Sequence, residues 1–334
     1  MTTRSGTQAR VLIDGQWRES LGGETFQSVN PATGEQLPEH FPISPWEEIE
    51  QAIAAAHRIA AGKPVEPESI ADFLERFALQ LESRAEELVA TAHEETALPI
   101  APRLRDGELP RTINQLNQAA EAARNGSWVQ ATIDTAANIR SQFEPIGPVV
   151  VIGPNNFPFA FNAVSGGDFA AAIAAGNPVI AKAHPLHPRT SRLLAEAAHD
   201  ALNEAGLPPG FVQMIYHTSR TDGLSLASDP RIGAVGFTGS RSAGLALKEA
   251  ADRVGKPIYV ELSSINPIVI LPGALMERSQ QIAEELTASC LMGGGQFCTN
   301  PGLIILPAGP EADAFIADVA ERFAAAPVGT LFSA

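Results

Sequence analysis

Cysteine is scarce, with two thiols in 334 residues. That is too few for a disulfide framework or a cysteine-based zinc module. Basic residues are also in deficit: Lys and Arg number 23 against 38 Asp and Glu, for a net charge of −15. Such a balance argues against non-specific binding of DNA, RNA or anionic membrane. No uninterrupted apolar run approaches the ~18–20 residues needed to span a bilayer. The amino-terminal stretch has no apolar segment of a secretory signal. Together these absences predict a cytoplasmic protein. At roughly 150 residues per domain, the length predicts about two domains. No G-x-G-x-x-G follows any predicted strand, so the usual dinucleotide fingerprint is missing.

What is present changes texture along the chain. Residues 10–40 read as short strands and turns, with Asp14-Gly15 a hairpin signal. Ser44-Pro45-Trp46-Glu47 has the pattern of a capping box opening a helix. Apolar periodicity then predicts helices over about 68–97 and 111–125. From residue 146 onward, apolar strands at 149–152, 178–183, 211–216, 232–237 and 258–262 alternate with helices, the first of these a small-residue stretch running to about 175. That alternation predicts a parallel sheet covered on both faces, with ligands bound at the carboxyl ends of its strands.

The loops at those ends carry four candidate constellations. In Phe237-Thr238-Gly239-Ser240-Arg241-Ser242-Ala243-Gly244, Gly239 permits a sharp turn. Gly244 permits close approach, and the N–H groups opening the helix favour an anion such as pyrophosphate. An ordinary strand–helix turn fits as well. In Gly293-Gly294-Gly295-Gln296-Phe297-Cys298, the glycine-rich loop makes Cys298 reachable, and residue type alone leaves it open between nucleophile and inert thiol. Cys290, in an apolar helical stretch, reads as a small buried hydrophobe. Glu261 ends an apolar strand, where burial would raise its pKa toward the range of a general base. A structural carboxylate fits that position too. Asn156, in Gly153-Pro154-Asn155-Asn156-Phe157-Pro158, offers an amide for an oxyanion or plain turn chemistry. His184 and His187 form an H-x-x-H pair whose neighbours supply no further metal ligand, so no metal site is expected.

These motifs in this order resemble the aldehyde dehydrogenase superfamily. The resemblance rests on Gly153–Pro158, 178–182, Phe237–Gly244, Glu261-Leu262 and Gly295–Pro301, and it covers nearly the whole chain from about residue 10. Lys182-Ala183-His184-Pro185, Glu261-Leu262-Ser263-Ser264-Ile265-Asn266-Pro267 and Gly295-Gln296-Phe297-Cys298-Thr299-Asn300-Pro301-Gly302 look like the 2-oxoglutarate semialdehyde (2,5-dioxovalerate) dehydrogenase branch.

The resemblance implies an α/β fold with a Rossmann-type parallel sheet domain over 1–262. It also implies bridging or oligomerisation strands within 127–145 and a partial second α/β domain over 263–334 carrying the cysteine loop. It implies that Cys298 attacks an aldehyde carbonyl, with Asn156 and the Cys298 backbone N–H holding the oxyanion. Glu261 would activate the water that hydrolyses the thioester. Lys182, Pro154, Gly239, Ser240 and Gly244 would hold the cofactor, NADP or NAD. Pro185 stands where NAD-preferring relatives often place a glutamate, and Arg220 is placed to meet a 2′-phosphate, which leans the choice to NADP. The distal carboxylate of an oxo-acid aldehyde would want an arginine, and Arg103, Arg105, Arg111 and Arg140 are the candidates.

Relatives continue well past the cysteine motif, whereas this sequence has room there for a strand at 303–306 and a helix at 311–325. The expectation is therefore a carboxyl-terminally truncated chain, self-associating as a homo-oligomer if the remaining region is supplied. A nucleotide-binding chain without turnover, and an interaction fragment without ligand, stand as the alternatives.

Overall fold

The computed structural model describes residues 8–332. Strands β1 (Val11–Ile13) and β2 (Gln16–Arg18) form an antiparallel hairpin. Its turn places Asp14 at φ 51° and Gly15 at φ 70°, the left-handed pair that two-residue hairpins demand. β3 (Thr25–Phe26) and β4 (Phe41–Pro42) pair next, followed by helix α1 (Trp46–Ala60). The expected capping box does not form. Pro45 occupies the cap position, and the buried Ser44 turns its Oγ to accept the Tyr216 N–H at 3.3 Å. A backbone donor buried elsewhere in the unit outcompetes the helix for that hydroxyl.

The single helix expected over 68–97 is two, α2 (Pro67–Ser83) and α3 (Ala85–Thr96), broken at Arg84 with φ −106° and ψ 12°. The break lets α3 bury Leu88, Val89 and Ala92 in a new direction. Arg84 meanwhile pairs with Asp200 at 2.5 Å. A wide helical turn over Ile100–Glu108 leads into α4 (Leu109–Asn125), which packs on α2. β5 (Thr132–Asp134) and β6 (Ile139–Ser141) form an exposed hairpin.

Four strand–helix repeats and a fifth strand complete the unit: β7 (Val149–Ile152), α5 (Gly167–Ala174), β8 (Val179–Lys182), α6 (Pro188–Ala205), β9 (Val212–Ile215), α7 (Arg220–Ser228), β10 (Ala234–Thr238), α8 (Arg241–Asp252) and β11 (Ile258–Glu261). The helix expected from just after β7 starts only at Gly167. Residues before it are held in turns by side chains, with Asn162 Oδ1 accepting the Val164 N–H at 3.0 Å and Ser165 Oγ donating to Phe159 O at 2.8 Å. Such local bonds compete with helix formation.

The sheet order is β11-β10-β7-β8-β9-β1-β2. β7 through β11 run parallel, and β1 joins β9 antiparallel. Successive strands step outward from β7 in both directions, so the order reverses between β7 and β10. That reversal opens a crevice at the carboxyl edge of a parallel sheet. Fully buried Phe73, Phe77 and Phe169 interlock under α2 and α5, with centroids 6.0 Å apart in each pair. Each contributes roughly 2–3 kcal/mol by burial.

The chain divides into two compact units, one ending at Glu261 and one beginning at Leu262. In the second, β12 (Pro267–Val269) pairs in parallel with β13 (Leu303–Ile305), and α9 (Pro272–Leu291) packs on α10 (Pro310–Ala325). Ile270, Leu275, Leu286 and Phe315 form its core. No helix among the described residues is long and apolar enough to cross a membrane.

Candidate active site

The carboxyl ends of β7, β8 and β10, with the helices α7 and α8, enclose a cavity of about 280 Å3 lined by Ile152, Lys182, Arg220, Leu224, Phe237 and Ala246, among others. Its walls are mostly apolar, and two helix amino-termini flank it. Ser219 caps α7 by accepting the Asp222 N–H at 3.0 Å, and Ser240 caps α8 by accepting that of Ala243 at 3.4 Å. Gly239 makes the turn into α8 possible: a Cβ there would lie 2.8 Å from the Phe237 ring. Gly244 is buried one turn into the helix, and its N–H donates to Ser240 O at 3.0 Å.

Lys182, the last residue of β8, and Arg220 are the cations that line this cavity. Among the described residues the Lys182 Nζ has only a long contact to Ala183 O at 3.5 Å, and burial lowers its pKa from 10.5 to about 8. A desolvated ammonium beside apolar walls and helix starts suits a ligand with a flat ring and hydroxyl or anionic groups. It also costs stability. Because the folded pKa lies below the unfolded one, this cost is in full force below pH 8 and is relieved as pH rises from about 8 toward 10.4. Lys182→Met is therefore expected to stabilise the free chain by about 1–2 kcal/mol at pH 7, discounted for the partial exposure of the residue. The gain should shrink at pH 9.5 in urea unfolding. Equal gains at both pH values would remove burial of the ammonium as the cause.

The asparagine loop is held from several sides. Gly153 is obligatory, since a Cβ would sit 2.3 Å from Phe161 O. His187, buried and with its pKa lowered by that burial, has Nε2 3.0 Å from Pro154 O, where a neutral ring donates. His184 stacks on His187 with centroids 5.2 Å apart.

The sequence reading missed Glu108. Its buried carboxylate accepts the N–H groups of Phe159 at 2.8 Å and Ala160 at 2.9 Å, and pairs with Arg103 at 2.5 Å. Burial pushes its carboxyl above the ordinary range, against the Arg103 charge and the two N–H donors. Arg103 carries the link onward. Its Nη2 donates to Asn156 O at 3.1 Å, and its guanidinium lies 4.4 Å over the Phe157 ring. Arg103 is thus occupied with shaping the loop and is not a spare cation. Nothing in the local pattern Arg103-Leu104-Arg105-Asp106-Gly107-Glu108 separates this inward acid from a solvated charge run.

Glu261 differs from expectation. It is exposed, because β11 is the edge strand of the sheet and its burial alternates, with Tyr259 68% exposed. The burial expected to tune Glu261 is absent among the described residues. Its backbone carbonyl accepts the Gly239 N–H at 3.0 Å, which ties the strand end to the α8 turn.

In the second unit, Cys298 sits in a loop of unusual backbone. Gly293, Gly294 and Gly295 take φ of 61°, 66° and 76° in succession, a left-handed path that glycine alone follows readily. Asn266 then pins the far side. Its Nδ2 donates to Cys298 O at 2.7 Å and to Asn300 O at 3.1 Å, and Ser264 Oγ also donates to Cys298 O at 2.7 Å. Asn300 Nδ2 closes the loop on Cys290 O at 2.7 Å. Cys298 is half-buried, reachable yet fixed by its peptide. Cys290 is half-buried against the core rather than wholly enclosed, and burial pushes its thiol pKa up. The first unit thus carries Pro154, Asn156, Lys182, Arg220, Gly239, Ser240, Gly244 and Glu261 at strand ends, in the loops after them or in the first turn of the helices that follow, and the second holds Cys298.

Comparison with known proteins agrees with this architecture. A model described as "Aldehyde dehydrogenase family" matches residues 17–333. The chain is 39% identical over 330 residues to alpha-ketoglutaric semialdehyde dehydrogenase 2 of Azospirillum brasilense, covering 94% of this chain and 62% of that one. It is 38% identical over 324 residues to alpha-ketoglutaric semialdehyde dehydrogenase of Acinetobacter baylyi, covering 93% and 60%. The crystal structure of aldehyde dehydrogenase C from Pseudomonas syringae, complexed with NAD+ and octanal, superposes with a TM-score of 0.83 at 26% identity, covering 96% of this chain and 63% of that one. The chain spans about three fifths of the length of the curated relatives it matches.

Proposed function

Because the chain belongs to the aldehyde dehydrogenase family, we propose that it oxidises an aldehyde to a carboxylate with NADP or NAD, through a thioester on Cys298. The observation that carries this reading is the Cys298 loop. Three left-handed glycines and the Ser264 and Asn266 bonds fix the peptide of a reachable thiol. The Cys298 thiolate adds to the aldehyde carbon, and the Asn156 amide with the Cys298 N–H takes the charge developing on oxygen. NADP or NAD, held by Lys182 and the turn of Gly239, Ser240 and Gly244, would supply the hydride acceptor for that carbon. Glu261 then removes a proton from the water that cleaves the thioester, returning the thiol and releasing the acid.

The cavity beside Lys182 fits such a cofactor. Its apolar walls suit an adenine ring, Lys182 and Pro154 its ribose, and the turn of Gly239, Ser240 and Gly244 its pyrophosphate. Arg220 lines this cavity, and Pro185 brings no carboxylate to repel a 2′-phosphate, so NADP is the preferred form. The substrate reading is 2-oxoglutarate semialdehyde, supported by the likeness to two enzymes named for it. Ile133 and Ile139 stand exposed on the β5–β6 hairpin, which supports self-association there.

The test is the initial rate of NADPH and NADH formation with 2-oxoglutarate semialdehyde, alongside nucleotide binding by fluorescence. We expect aldehyde-dependent turnover, faster with NADP. Cys298→Ala should lower it at least ~1,000-fold while nucleotide binding persists. Turnover that survives Cys298→Ala would remove the thioester route. Nucleotide binding without turnover in the unaltered chain would favour a binding role instead.

A further inference from the structure

We propose that Arg111 and Gln115, one turn apart on α4, form the subsite for the acid end of the substrate. The inference rests on the reading of an acid-bearing aldehyde and names the residues that recognise the acid. Among the four candidate arginines, Arg103 is held by Glu108, and Arg105 pairs with Glu86 at 2.6 Å. Arg140 stands on the exposed β5–β6 hairpin against Asn138. Arg111 has no ion-pair partner among the described residues, in a chain where acids outnumber bases 38 to 23.

Arg111 is nonetheless held in place. Its guanidinium carbon lies 5.0 Å from the Phe161 ring centroid and 5.9 Å from that of Phe157, and the two rings meet edge to face at 4.9 Å. Phe157 directly follows Asn156, so the cation flanks the loop that carries the oxyanion amide. Stacking on aromatic faces leaves the N–H edges of a guanidinium free for bidentate binding of a carboxylate.

Gln115 supplies a second, independent mark. Positions i and i+4 share a helix face. Its Oε1 is buried with no hydrogen-bond partner among the described residues. A buried amide left unmet is costly in a folded protein. Rotating the amide exchanges its oxygen and nitrogen, which brings an N–H donor to that position. An oxo group next to a carboxylate is the acceptor such a donor would meet. Together the pair fits a 2-oxo acid: the guanidinium for the carboxylate, the amide for the oxo oxygen.

The experiment compares Arg111→Met, which keeps the apolar stem, and Gln115→Leu with the unaltered chain. Each is assayed on 2-oxoglutarate semialdehyde, on the semialdehyde of a simple dicarboxylic acid lacking the 2-oxo group, and on pentanal. Arg111→Met should lose about 30–100-fold in kcat/KM on both acids, chiefly in KM, and stay within about threefold on pentanal. Gln115→Leu should lose about tenfold on the 2-oxo acid alone. Equal losses on all three aldehydes would overturn the subsite. If the unaltered chain oxidises none of them, the functional reading fails separately, and calorimetry with 2-oxoglutarate decides the subsite. Binding abolished by Arg111→Met supports it. Binding indifferent to that change, or absent in the unaltered chain, overturns it.

Discussion

In Glu261→Gln, the first turnover should proceed and the second should stall. On the proposed thioester route the amide leaves the thiol of Cys298 and the oxyanion donors untouched, so thiohemiacetal formation and hydride loss should continue. It cannot take a proton from water, so the thioester persists. A burst of about one equivalent of NADPH per chain is expected, followed by a steady rate lowered about 100–10,000-fold, the range of a lost general base. Mass spectrometry of the quenched protein should find the acyl group on the peptide containing Cys298. A slowed burst would instead place Glu261 before hydride loss, as the base that activates the thiol.

The second large effect concerns a residue that touches no reactant. Glu108→Gln should destabilise the first unit by about 3 kcal/mol, because it leaves Arg103 partly buried without its counter-charge. It also turns an acceptor-only group into one with an N–H facing two backbone donors. The asparagine loop should loosen with it. Activity is expected to fall about as far as in Asn156→Ala, with nucleotide affinity nearly unchanged. Arg103→Met combined with Glu108→Gln should be less damaging than the two losses added together, since each single change strands the other group. Thermal unfolding and kcat, measured on all three variants, check both halves. Additive losses would mean the pair is not coupled.

Much of this architecture is legible before any coordinates. The strands β7 to β11 announce themselves because each is a short apolar run closed by glycine, proline or a polar turn, and their loops hold the candidate residues. Other features depend on partners far along the chain. Ser44 looks like a helix cap until Tyr216 claims its hydroxyl. Arg84 is itself a good helix former, and its break follows from packing rather than propensity. Glu108 reads as one more acid in a charged stretch, since its role requires the Phe159 and Ala160 N–H groups some fifty residues on. Glu261 was expected to be buried because its strand is apolar, but apolar character does not reveal which strand lies at a sheet's edge. Ser264 and Asn266 belong to a motif visible in the sequence, yet only the fold shows them holding the Cys298 carbonyl.

The seven-stranded sheet also dictates a schedule for the nascent chain. β1 is made long before β9, one of its two hydrogen-bonded neighbours in the sheet, with Leu12 opposite Met214. Asp14 N–H likewise waits for Gln213 Oε1. At about 5–20 residues per second, a ribosome needs roughly 10–40 s to deliver that partner. Throughout this interval Val11, Leu12 and Ile13, later almost wholly buried, stand outside any completed core. The amino-terminal hairpin therefore stays unpaired on its β9 side until most of the first unit has been made.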